Sequence, residues 1–162
     1  MERGIRLEEK RILIIDDDED IVESLSTLLS NAGYVVDVAL NGEEAIKKSK
    51  EKVYNVALID VVLPDMTGID LLTKLEERKP ATRKIIITGY ASLDNAVKAL
   101  NLGADAYLIK PVDPEELIST VKKQIEEQEN ELAITQEKIV KFIETRVREL
   151  EKEGMAKEEN KD

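Results

Sequence analysis

The sequence predicts an α/β fold: an open, doubly wound, five-stranded parallel sheet with helices on both faces, its last helix extended into a long C-terminal helix. Three observations carry the prediction. Short β-type runs alternate five times with amphipathic helical stretches. Three of those runs are near-continuously apolar, as strands buried on both faces of a parallel sheet are. The stretches between them open on residues that cap helices, so each strand is followed by a crossover that returns the chain to the same edge.

The first strand reads "RILIID", residues 11–16. The helix after it begins at Asp18, and Ile21, Val22, Leu25, Leu28 and Leu29 share one face before Gly33 stops it. The second strand is "YVVDVAL", 34–40, and Asn41 with Glu44 three residues on has the spacing of a capping box. The third strand is "NVALID", 55–60, followed by "LPDMTG" turn chemistry and by Thr67 with Asp70 as the next cap. The fourth is "KIIIT", 84–88, with Ser92 as cap. The fifth is "AYLIK", 106–110, and its helix has the clearest start: Asp113 as cap, Pro114 at the first helical position and Glu116 at the third.

Composition narrows the function classes. The 162 residues suit one ordinary domain with a short appendage. Acids outnumber bases 35 to 24, a net charge of -11 that lacks the basic footprint of a nucleic-acid binder. No Cys and no His are present, which excludes disulfides, thiolate or imidazole metal sites, and histidine or cysteine catalysis. No apolar run reaches the ~18 residues of a membrane span, and "MERGIRLEEK" has no signal-peptide core. The expected location is the cytoplasm.

In open parallel sheets, ligands bind outside the carboxyl ends of the strands. The residues at those ends are Asp16 and Asp17, Asp60, Thr88 before Gly89, and Lys110 before Pro111. Three carboxylates at close range need a counter-charge, and a hard divalent cation such as Mg²⁺ supplies one through oxygen ligands. A carboxylate can act as nucleophile toward phosphorus, with an ammonium, a hydroxyl and a backbone amide supporting the phosphoryl oxygens. The run "DDDED" divides accordingly. Asp16 and Asp17 belong to the crevice, Asp18 is the helix cap, and Glu19 and Asp20 sit in the first turn, where the helix dipole favours negative charge.

Four motifs in order, "IIDD" with its acids at 16 and 17, "LIDVVLPDMTG" around Asp60, "ITGYAS" around Thr88 and "GADAYLIKP" leading to Lys110, resemble the receiver (CheY-like) domain of two-component response regulators. The resemblance covers residues 11 to about 127. It implies the strand order 2-1-3-4-5 and a cis Lys110–Pro111 bond. It implies that Asp60 accepts a phosphoryl group from a histidine kinase or phosphotransfer protein, making the chain no enzyme beyond its own phosphorylation and slow dephosphorylation. Mg²⁺ would be held by Asp17 and Asp60 with the main-chain carbonyl of Val62, Asp16 assisting. Lys110 would contact the phosphoryl group, Thr88 would move to bond it, and Tyr107 would turn inward. Val62 and Tyr90, each two residues beyond a site residue, carry no acid or amide to orient water, which implies a long-lived phosphoryl state. A phosphohydrolase would carry a second Asp two residues after the nucleophile; Val62 stands there.

The expected organisation is an N-terminal extension over 1–10, the receiver over 11–127, a helical extension over 128–153 and a disordered tail over 154–162. A helix from Pro114 to Glu153 would be about 60 Å long at the standard rise. Ile125, Leu132 and Ile139 repeat every seven residues, with Ile143 and Leu150 continuing out of step, a heptad-like seam interrupted by Glu129, Gln136 and Arg146. A solvated linker and a coiled coil that makes a homodimer both remain open. So do a stand-alone regulator, a receiver cut from a longer transcriptional regulator similar in "TGYASLDNAVKALNLGADAYLIKP", and a non-phosphorylated scaffold. No catalytic or DNA-binding domain is legible in these residues.

Overall fold

The computed structural model describes residues 9–159. Most of the expected N-terminal extension, and the last three residues of the expected tail, lie outside the described residues. The described chain runs β1 (Arg11–Ile15), α1 (Glu19–Asn31), β2 (Val35–Ala39), α2 (Gly42–Glu51), β3 (Val56–Ile59), α3 (Gly68–Leu71), β4 (Arg83–Thr88), α4 (Leu93–Asn101), β5 (Ala106–Ile109) and α5 (Pro114–Glu159). The five strands form one sheet in the order β2-β1-β3-β4-β5, every pair parallel.

The central strands are apolar on both faces because both faces are covered. Leu13 and Ile15 pack with Ala57, Ile59 and Ile86 on one side of the sheet, with Leu71 and Leu72 beneath them. Ile12 and Ile14 pack with Leu58, Ile85 and Ile87 on the other, against Leu29 of α1 and Leu117, Val121 and Ile125 of α5.

The expected caps form. Asp18 accepts from the backbone N–H of Asp20 (3.0 Å) and of Ile21 (3.3 Å). Asn41 accepts from Glu44 N–H at 2.8 Å, while the Glu44 carboxylate reaches back to the N–H of Leu40 at 3.1 Å. Thr67 and Ser92 cap α3 and α4. Gly33 takes φ +99 after α1, the left-handed conformation a helix stop requires.

α3 is short, and α5 runs past its expected end. α3 stops after Leu71: the Lys84 ammonium takes the Leu72 carbonyl at 2.6 Å, and Lys74 N–H bonds the Leu71 carbonyl three residues back. At the other end of the chain, α5 runs through Gly154 to Glu159, so residues 154–159 are helical rather than disordered. A glycine costs a helix interior only about 1 kcal/mol relative to alanine, less than is needed to end it.

The chain divides into two compact units, with the boundary after Gln128. In the first, Gln128 is buried, donating to the carbonyls of Ala81 (2.8 Å) and Asn55 (3.2 Å) and accepting from the Asn55 amide at 3.0 Å. In the second, every side chain from Glu129 to Met155 is exposed. Among the described residues no helix is long and apolar enough to cross a membrane.

Candidate functional site

The sheet brings the sequence-predicted residues to one edge. β1 delivers Asp16, whose N–H continues the sheet by bonding the Ala39 carbonyl at 3.1 Å. β3 delivers Asp60 in the same way, N–H to the Ile15 carbonyl at 2.9 Å. β4 ends in Thr88, and Lys110 follows β5 with its N–H on the Thr88 carbonyl at 2.9 Å. The Lys110–Pro111 peptide is cis, as the resemblance implied.

Asp16, Asp17 and Asp60 each offer a carboxylate oxygen within 4.8 Å of the others. Asp16 and Asp60 are buried and Asp17 is exposed. The Lys110 ammonium donates to Asp16 Oδ2 at 2.7 Å and to Asp60 Oδ2 at 3.1 Å. Asp16 Oδ1 also accepts the Asp18 N–H (3.0 Å), and Asp60 Oδ1 the Val62 N–H (3.3 Å).

Burial pushes the Asp60 carboxyl above the usual carboxylate range. The Lys110 hydrogen bond pulls it back and the charge of Asp16 pushes it up further, leaving it raised. Burial would lower Lys110, but its bonds to Asp16 and Asp60 outweigh this and hold its ammonium above the ordinary lysine value. One ammonium against three carboxylates leaves negative charge uncompensated. An all-oxygen donor set of that charge fits a hard divalent cation.

Thr88 is fully buried, and its Oγ1 accepts the Tyr90 N–H at 3.0 Å, which leaves its own hydroxyl hydrogen to donate. Tyr107 packs against the core under α4, and its buried hydroxyl makes no hydrogen bond. Val62 and Tyr90 are both exposed, and neither carries an acid or amide.

Sequence reasoning treated "LPDMTG" as turn chemistry and missed what it holds. The Asp65 carboxylate accepts the N–H groups of Gly42 (2.8 Å) and Glu43 (2.9 Å) at the start of α2, which keep its pKa below the usual range. Met66 lies where a Cβ on Gly42 would be. Gly68 presses on the Asp60 main chain so closely that a Cβ there would run into the Asp60 carbonyl oxygen. The Gly68 N–H bonds the Val61 carbonyl at 2.8 Å, and Val62 bridges to Thr67. The loop that leaves Asp60 is therefore pinned at both ends. The only available signals were Asp65 beside Pro64 and Gly68 after Thr67, which an ordinary turn also shows.

Residues 12–122 match the model of the response regulator receiver domain. A receiver domain protein from Methanospirillum hungatei JF-1 has a crystal structure 46% identical in sequence, with a TM-score of 0.73, covering 76% of this chain and 98% of its own. A response regulator from Burkholderia pseudomallei, crystallised with a phosphorylated aspartic acid, a calcium ion and citrate, is 32% identical with a TM-score of 0.65, covering 78% of this chain and 74% of its own. The transcriptional regulatory protein ZraR of Klebsiella oxytoca is 39% identical over 118 residues, 73% of this chain but 27% of its own length. This chain thus spans about a quarter of that relative. The matched region is the whole α/β unit with its edge of acids, and the chain belongs to the response regulator receiver domain family.

Proposed function

We propose that this chain is a phosphorylatable switch in which Asp60 takes a phosphoryl group from a histidine kinase or phosphotransfer protein. The observation supporting this reading is the convergence of Asp16, Asp17 and Asp60 within 4.8 Å, with Lys110 bonded to two of them. An Asp60 carboxylate oxygen forms the bond to phosphorus as the bond from phosphorus to the donor atom breaks. The electron pair of that bond leaves with the donor, and the product is an acyl phosphate.

Mg²⁺ would be held by Asp17 and Asp60 with the Val62 carbonyl, Asp16 assisting, and would neutralise charge on the phosphoryl oxygens. Lys110 supplies the second positive charge by exchanging its bond to Asp60 for one to the phosphoryl group, while Asp16 keeps it in place. Thr88 donates its free hydroxyl hydrogen to a phosphoryl oxygen. Tyr107 completes the change by finding a partner for its hydroxyl, which is already buried against the core and unbonded, an arrangement that costs stability.

With apolar Val62 and aromatic Tyr90 at the mouth, neither position offers an acid or amide to orient an attacking water, so the acyl phosphate is long-lived. Loss of the phosphoryl group within seconds would count against that part. Conversion of the switch into output through a partner protein completes the reading. The whole-protein activity of longer relatives enters only as the alternative that this receiver serves such a regulator.

Intact-mass measurement after incubation with Mg²⁺ and acetyl phosphate tests the proposal. Wild type is expected to gain one phosphoryl group and Asp60→Asn none. No gain in wild type would point to a non-phosphorylated scaffold, and rapid turnover of donor without accumulation to a phosphohydrolase.

A further inference from the structure

The second unit carries an apolar stripe whose phase differs from the one the sequence suggested. The sequence heptad runs through Ile125, but Ile125 is buried in the receiver core beside Leu117 and Val121. It cannot also be a contact position between chains. Beyond Gln128 the apolar residues Val140, Ile143, Val147 and Leu150 are all about half exposed, at 52%, 53%, 47% and 50%. Their spacing is three, four, three, the step of alternating a and d positions. Extending the pattern backward places Gln136 at d and Ala133 at a. Leu132 and Ile139 flank the seam at g.

We propose that residues 133–150 pair with a second copy of this chain as a parallel, in-register, two-stranded coiled coil with this seam. β-branched Val140 and Val147 at a with Leu150 at d follow the pattern that favours two strands, and Ile143 at the other d departs from it. Charge decides the direction. In this register every e position is acidic: Glu137, Glu144, Glu151 and Glu158. Antiparallel helices set e against e, and would line up two rows of glutamates. Parallel helices set e against g of the other copy, where Leu132, Ile139, Arg146 and Glu153 stand, so only the last heptad sets acid against acid, Glu153 against Glu158. Arg146 then faces Glu151 of the second copy. Within one chain its guanidinium bonds Glu149 at 3.1 Å, both groups about half exposed, so the exchange of partners costs little. Gln136 meets its own twin across the seam, where paired amides bond each other in register. Phe142, at c and 71% exposed, lies off the seam and takes no part.

Sedimentation of the full chain over a concentration series tests the proposal. A dimer is expected for wild type and for Phe142→Ala, and a monomer of unchanged receiver melting for Ile143→Lys. Arg146→Glu is expected to weaken the dimer by about tenfold, the sum of two exposed charge pairs of ordinary strength. Adding Glu151→Lys to it should restore the dimer, because only parallel chains bring those positions together. The chain has no cysteine, so Leu150→Cys should give a covalent dimer on mild oxidation without further engineering. A wild-type monomer at all concentrations, a dimer that survives Ile143→Lys, or no cross-link through Leu150→Cys would each overturn the proposal.

Discussion

Replacing Gly68 with alanine tests the link between loop packing and chemistry. A Cβ at that position would run into the Asp60 carbonyl oxygen, with the Asp60 carbonyl carbon at 2.8 Å and Ile59 Cγ2 at 2.9 Å. These obstacles are main chain and a fully buried strand residue, so none can swing aside. Relief requires the backbone at Asp60, or the start of α3, to move by roughly 1 Å, and overpacking of that kind costs about 1–3 kcal/mol. With a urea slope of about 1–3 kcal/mol per molar, the unfolding midpoint should fall by about 1 M. The same shift displaces the Asp60 carboxylate from Asp16 and Lys110, and a misplacement of ~1 Å can cost a reaction about a hundredfold. Phosphorylation by acetyl phosphate, followed by intact mass, should therefore slow by roughly ten- to a hundredfold on that basis. Gly42→Ala is the control: its Cβ would meet the Met66 side chain, with Cγ at 2.5 Å and Cε at 2.8 Å, and a methionine can rotate away. Wild-type rate and midpoint in Gly68→Ala would refute the claim that this contact sets the position of Asp60.

Three further outcomes follow from the site. Asp65→Ala removes the acceptor that ties the Asp60 loop to α2; a lost cap of this kind costs about 0.5–2 kcal/mol, so Mg²⁺ affinity by calorimetry should fall by at least about twofold and at most about thirtyfold. Its phosphorylation rate should recover at saturating Mg²⁺, and unchanged affinity would remove Asp65 from the account. Tyr107→Phe deletes a buried hydroxyl that has no partner, so urea unfolding should show equal or greater stability, by up to about 1 kcal/mol; a clear loss would show that the hydroxyl is bonded. The folded-state pKa of Asp60 lies above its unfolded value, so the folded protein binds the proton more tightly and metal-free stability falls as pH rises through that window. Asp60→Asn should accordingly be more stable than wild type without Mg²⁺ at neutral pH, and the difference should vanish below the ordinary carboxylate pKa of about 3.9. A difference independent of pH would contradict it.

The fold and the acidic edge were legible because they rest on local pattern. Ile12 to Ile15 read as a doubly covered strand from four consecutive apolar residues, and Asp18, Asn41, Thr67 and Ser92 bond N–H groups only two or three positions away. What was not legible depends on distant partners. Where α3 ends, Lys84, twelve residues on from Leu72, takes the Leu72 carbonyl. Asp65 holds a helix start more than twenty residues earlier in the chain. Ile125 fits a seven-residue repeat as well as a core face, because over two turns 3.5 and 3.6 residues per turn give the same spacing. Only its burial against Leu117 and Val121 separates the two. Lys110 was read as a phosphoryl contact, but its bond to Asp16 is shorter than its bond to Asp60, which also makes it the tie between two strand ends.

The central claim is that Asp60 is the phosphoryl acceptor. Borohydride reduction of the phosphorylated protein converts an aspartyl phosphate to homoserine, and peptide mass spectrometry then locates it. The account requires homoserine at position 60 alone, formed only when Mg²⁺ and phosphodonor are both present. Homoserine at Asp16 or Asp17, or none in protein that has gained a phosphoryl group, would contradict it.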